Sequence, residues 1–233
     1  MSFHDPQLVA EEYASEKGLL GRRAAYEYAD GPDAHSAVVE AVLEGRPRHV
    51  LEVGSGPGEA AERIAATGAH VEAVDVSERM VELTRARGVS ARVGDVQKLP
   101  FEDEVFDAAL AAWMLYHVAD VDGALSELAR VLRPGGRLVA VTNGVEHLGE
   151  LRGLLGGEFP TWHFSDQNAR KILERHFVQV EERFLGGWIH FPDRATVQSY
   201  VDATQNLWRR DLPADFDGPL RVRYAPVLYV ARR

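Results

Sequence analysis

The chain has 233 residues, 45% of them hydrophobic, enough for one domain with a well-buried core and too many for global disorder. Its 36 acidic against 26 basic residues give a formal charge of -10, which excludes long-range attraction to nucleic acid or an anionic membrane as the default mode of binding. With no cysteine, disulfides, thiolate metal sites, iron–sulfur clusters and every thiolate mechanism are excluded, cytosine C5 methylation among them.

The segment "MSFHDPQLVAEEY" has no basic stretch followed by an apolar one, and no run reaches the length of a membrane span, so a cytoplasmic protein is expected. Residues 34–44 set Val38, Val39, Ala41 and Val42 at helical spacing, with Gly45 and Pro47 as the stop. "HVLEV" (49–53) reads as a strand buried on both faces, and Ala61, Ile64 and Ala65 mark a helix closed by Gly68. "HVEAVDV" (70–76) is a second strand, after which Ser77 caps the helix "ERMVELTRARG". A third strand is expected at 89–96 and a fourth at 106–113. Leu125, Leu128, Ala129 and Leu132 then mark a helix ended by Pro134, Gly135 and Gly136, before a fifth strand at 137–143.

The remainder is less regular. A loop-rich stretch at 144–165 leads to a helix at 166–175, a strand at 177–185 and a helix at 193–208, and "LRVRYAPVLYVARR" reads as a strand closing the far edge. Alternating strands and helices predict an α/β fold with a doubly wound, mostly parallel seven-stranded sheet and an antiparallel C-terminal edge strand. Ligands of such sheets sit beyond the C-terminal strand ends.

One such end carries "VLEVGSGPGEAA" (50–61), where glycines let a ligand approach the main chain. The spacing is GxGxG, with Glu59 where the dinucleotide fingerprint has its third glycine, and an acid there repels a pyrophosphate. Glu52 adds a second carboxylate, and together they suit S-adenosylmethionine, which is cationic and phosphate-free. Asp75 can accept both hydroxyls of a ribose, and Asp95, in "GDV" (94–96), the exocyclic amine of adenine. The plainer readings are a tight glycine turn and an Asp75 that caps the next helix.

With "VLEVGSGPG", "VEAVDVSERMVELTRARG", "GDVQKLPFEDEVFDAALAAWMLYHV" and "LARVLRPGGRLVAVT" in order, residues 48–143 resemble a class I S-adenosylmethionine-dependent methyltransferase of the small-molecule type, similar to the domain of ubiquinone and menaquinone biosynthesis. The resemblance implies that Glu52, Gly54 and Gly56 flank the methionine moiety, that Asp75 takes the ribose, and that Asp95 and Val96 read adenine. It adds Ser55, Val76, Gly94 and Ala112 to the cofactor set, puts Met80 near the adenine, where ordinary core packing is the alternative, and folds Tyr13 over the cofactor, where packing alone is the alternative. S-adenosylhomocysteine would be the product. The implied plan is one domain: N-terminal helices or lid (1–46), cofactor core (47–143) and acceptor-side segment (144–233).

Methyl transfer from a sulfonium needs alignment and exclusion of water, with a general base only for a protonated acceptor. His117 is the candidate base, or else a histidine bonded to backbone; Trp113 and Tyr116 are candidate walls. Trp162, His163, Trp188 and His190 are candidates for the acceptor pocket, against packing or surface roles. "AAWM" stands where methyltransferases of exocyclic amines carry Asp/Asn-Pro-Pro-Tyr/Phe, so a small molecule is the expected acceptor. No metal constellation stands out. A non-catalytic cofactor-binding module and a nicotinamide oxidoreductase are the alternative functions.

Overall fold

The computed structural model describes residues 17–156, 162–204 and 211–233. Its strands are β1 (His49–Val53), β2 (His70–Asp75), β3 (Ser90–Val93), β4 (Phe106–Ala112), β5 (Leu132–Asn143), β6 (Gln179–Phe184), β7 (Gly187–Phe191), β8 (Leu220–Tyr224) and β9 (Pro226–Arg232). Its helices are α1 (Lys17–Ala24), α2 (Ala34–Leu43), α3 (Glu59–Ala65), α4 (Glu78–Ala86), α5 (Val121–Val131), α6 (Gly149–Leu155), α7 (Ala169–Leu173) and α8 (Arg194–Ala203). Seven strands form one sheet in the order β3-β2-β1-β4-β5-β9-β6, and β7 with β8 forms a separate antiparallel pair. Among the described residues no helix is long and apolar enough to cross a membrane.

The sheet is covered on both faces because its strands are apolar at odd and even positions alike. Val50, Val139, Val141, Leu228 and Val230 pack on one side with Val38, Val42 and Ile64. Leu51, Val53, Leu138, Ala140 and Tyr229 pack on the other with Leu125, Leu128 and Leu173. The chain runs outward from β1 to β3 and restarts at β4 on the other flank, so a crevice opens beyond the ends of β1 and β4. The predicted Ser77 cap accepts the Met80 N–H at 3.4 Å, and Asp33, Asp120 and Asp193 cap α2, α5 and α8 in the same way.

The structure corrects the reading in the second half. The helix α5 ends at Val131, and Leu132 already pairs with Phe106; the register then slips so that Ala108 faces Arg137. Pro134, Gly135 and Gly136 therefore form an irregularity within β5 and do not terminate the helix. The stretch 144–165 contains α6, and β7 was not foreseen. "LRVRYAPVLYVARR" breaks at Ala225 into β8 and β9. The C-terminal strand β9 is antiparallel to both neighbours but lies one place in from the edge, which β6 occupies. Burial explains the exchange: β9 is buried at six consecutive positions, whereas β6 is largely exposed.

The α1 helix packs on α8, and a Cβ at Gly21 would stand 2.7 Å from Ala203 Cβ, so glycine sets that close approach. A bridge from Ala29 to Ile189 ties the same region to β7. Together these contacts bring the N-terminal helix and α8 over the crevice.

Candidate active site

From Val53 the chain turns with Gly54 at φ 63° and Gly56 at φ 53°, a region that side chains resist. A Cβ on Gly54 would meet the Met114 side chain at 2.7 Å, whereas one on Gly56 would meet nothing within 4 Å. Bare main chain thus faces open space at Gly56. Its N–H donates to Asp75 Oδ2 at 2.9 Å, and the Ser77 N–H donates to Oδ1 at 2.9 Å. Asp75 therefore ties the turn to the start of α4, and each oxygen keeps a lone pair for a hydroxyl. Burial raises its pKa, against the hydrogen bonds from Ser77 and Gly56.

Glu52 is 4% exposed, and its Oε2 has no hydrogen-bond partner among the described residues. Burial pushes its pKa up to about 8, the Asp75 carboxylate adds to the rise, and the Ala61 backbone N–H opposes it. An unpartnered carboxyl oxygen in such a place is costly unless a ligand donor reaches it.

Glu59 behaves otherwise than the sequence suggested. It is ion-paired with Arg23 and lies 3.6 Å from Arg87, so its charge is answered within the chain and its exclusion of a pyrophosphate is weakened. Arg87 also donates to the Pro57 carbonyl at 2.8 Å, pinning the glycine turn.

These elements surround a cavity of about 930 Å³. Glu52, Gly54, Ser55, Gly56, Asp75, Val76, Gly94, Asp95, Val96, Ala112 and His117 all line it, as do Trp113, Tyr116 and Trp162. The Asp95 carboxylate accepts the Gln97 N–H at 2.9 Å, shaping the turn after β3. His117 is half-buried, with its ring 4.5 Å from that of Tyr116. Met80 does not line the cavity: it is fully buried, because the Ser77 cap starts a helix that turns it into the interior. Tyr13 lies outside the described residues.

Of the tail candidates, His163, Trp188 and His190 are not in the wall. The Trp188 ring lies under the guanidinium groups of Arg221 and Arg223, at 3.9 and 4.9 Å, and the Trp188 backbone N–H donates to Asp30 Oδ1 at 2.7 Å. His190 sits 2.9 Å from the same carboxylate. Both belong to the outer β7–β8 pair, which explains their distance from the chemistry. The His163 carbonyl accepts the Asn168 side-chain amide at 3.0 Å.

The far wall holds residues that the sequence reading missed: Tyr26, His35, Asn143, His147, Arg152, Tyr200 and Thr204. Asn143 ends β5, and its Oδ1 accepts the Trp113 indole N–H at 3.2 Å. Trp113 itself has φ 53°, is anchored by its N–H to the Val141 carbonyl at 2.9 Å, and lies 4.7 Å from the His35 ring. Such backbone strain in a bulky residue persists only where its surroundings hold it. His147 accepts the Ala225 N–H on Nδ1 at 3.2 Å. Burial lowers its pKa to about 3, helped by the Arg152 charge, so the ring is neutral and carries its proton on Nε2. Burial likewise lowers the pKa of His35. Asn143 was within reach of the strand-end rule; His147 follows an unforeseen turn and left no signal.

The Methyltransferase domain family matches residues 51–140. The demethylmenaquinone methyltransferase of Tropheryma whipplei (strain Twist) is 43% identical over 97 residues, covering 39% of this chain and 39% of that protein. The chain thus spans under two-fifths of the length of that relative by alignment. Among solved structures, the YcgJ protein from Bacillus subtilis superposes with a TM-score of 0.63 at 18% identity, covering 85% of this chain and 97% of that one. Phosphoethanolamine N-methyltransferase 2 of Haemonchus contortus, in complex with phosphomonomethylethanolamine and S-adenosylhomocysteine, gives 0.66 at 17%, covering 100% and 60%. Over residues 51–140 the family match, the motif order and the strand order agree, and the solved structures share the fold.

Proposed function

We propose that the protein is an S-adenosylmethionine-dependent methyltransferase acting on a small conjugated acceptor of the quinone type. The observation that carries this reading is Glu52: a buried carboxyl whose Oε2 lacks a partner, beside a turn left open at Gly56. Those features fit the group, because a cationic ammonium satisfies the orphaned oxygen and a chain bearing no phosphate suits two neighbouring carboxyls. Bound there, S-adenosylmethionine supplies a methyl group on a sulfonium leaving group, open to in-line displacement.

The chain's own residues do the rest. Glu52, Gly54, Ser55 and Gly56 hold the methionine end, Asp75 and Val76 the ribose, and Gly94, Asp95 and Val96 the adenine. Trp113, Tyr116 and Trp162 wall the reacting end with aromatic surface and exclude water. His117, in the same wall, takes the proton of a hydroxyl acceptor. The name of the Tropheryma relative supports the quinone-type acceptor.

Calorimetric titration tests the reading. S-adenosylhomocysteine is expected to bind in the micromolar range or tighter, and nicotinamide dinucleotide not at all. Binding of the dinucleotide alone rejects the proposal. Tight cofactor binding without methyl incorporation into any reduced naphthoquinone favours a binding module.

A further inference from the structure

The polar groups of the cavity are sorted by type. The lining carboxyls are Glu52, Glu59, Asp75, Glu78, Glu82 and Asp95, all from the β1–β3 side. Among the described residues, no acid lines the cavity before residue 52 or after residue 95. The far half presents hydrogen-bonding side chains without negative charge instead, donors among them.

Two of these donors are fixed by the fold. His147 and Asn143 are each 7% exposed. His147 Nδ1 is occupied by the Ala225 N–H, which leaves the Nε2 proton, and that proton has no partner among the described residues. Asn143 Oδ1 is occupied by the Trp113 indole, which leaves the side-chain NH2, again with no described partner. The ring of His147 stays neutral because a proton on Nδ1 would displace the Ala225 bond and meet the Arg152 charge. Neither residue can turn an acceptor atom toward a ligand without breaking a bond already made.

Resting on the methyltransferase reading, we propose that His147 and Asn143 form a receptor for a carbonyl or oxyanion oxygen of the methyl acceptor, and that this half of the cavity rejects cationic amines. A buried donor is satisfied by an oxygen lone pair and by nothing an ammonium offers. The aromatic wall accepts a flat, conjugated body of either charge, so the polar end decides.

The test uses the full chain saturated with S-adenosylhomocysteine and two probes of equal bulk, 1,4-naphthoquinone and 2-naphthylmethylammonium. The quinone is expected to bind at least about tenfold more tightly than the amine. His147→Phe, which keeps the ring and removes the donor, is expected to weaken the quinone about tenfold and leave S-adenosylhomocysteine affinity unchanged. His147→Gln, whose amide can accept from Ala225 and still donate, restores most of the loss. Equal binding of the amine, or unchanged quinone affinity in His147→Phe, overturns the proposal. Wild-type protein that fails to bind S-adenosylhomocysteine instead overturns the methyltransferase reading, and the two failures are told apart by that titration.

Discussion

The cavity has two halves made by different kinds of chain. The half around the glycine turn is contiguous: Glu52 through Val96 supply its acids, its bare backbone and its helix start. The opposite half is assembled from α1, the start of α2, the end of β5, the turn before α6 and the end of α8. A grip of short range can be written in a motif, whereas a surface brought together over long range cannot. The contrast also runs through the electrostatics, with buried carboxyls on one side and neutral or cationic donors on the other.

The largest effect that sharpens this contrast concerns Glu52. Burial pushes its pKa up to about 8 in the fold against 4.5 for an ordinary glutamate, so between those values the folded state holds a proton that the unfolded chain has lost. Stability therefore falls as pH rises through that window, by up to about 1.4 kcal/mol per pH unit from this group, opposite in sign to an ordinary ion-paired carboxylate. Denaturant unfolding of the cofactor-free protein across the window is expected to show the fall, and Glu52→Gln to flatten it. Binding of S-adenosylhomocysteine at neutral pH should release a proton as Glu52 ionises, visible by calorimetry in buffers of different ionisation enthalpy.

Next in size is Asp75→Ala, expected to weaken cofactor binding by about 1–3 kcal/mol, since it removes a charged acceptor and unties Gly56 and Ser77. Affinity equal to wild type would break the assignment of that half. Gly56→Ala places a methyl in the open cradle and strains a backbone at φ 53°; about 1 kcal/mol of stability and a larger share of cofactor affinity should be lost. The smallest effect on binding is expected for His117→Ala, which should lower turnover with nearly unchanged cofactor affinity; an unaltered rate removes it as a base.

Legibility followed the same divide. The strands β1 to β4 and the helices between them could be read because each is a local apolar run with its own stop, and their ends placed Glu52, Asp75 and Asp95 at the cavity. Met80 lies in the core outside the cavity lining, since helical periodicity does not say which buried side chain reaches a cavity. The order of the last strands failed because alternation in residues 220–232 describes two strands in two sheets equally well. His147 could not be found at all: its neutrality depends on burial and on a backbone N–H at residue 225, 78 positions away.

That distant N–H is half of a two-way tie between loops. Gly144 donates to the Ala225 carbonyl at 2.7 Å while the Ala225 N–H holds His147, so the hinge between β8 and β9 clasps the loop after β5 from both sides. The cofactor grip draws on residues 52–96, but the receptor opposite it is complete only once residue 225 has docked on the loop after β5. Loosening that junction would unmake the acceptor's berth before it reached the glycine turn.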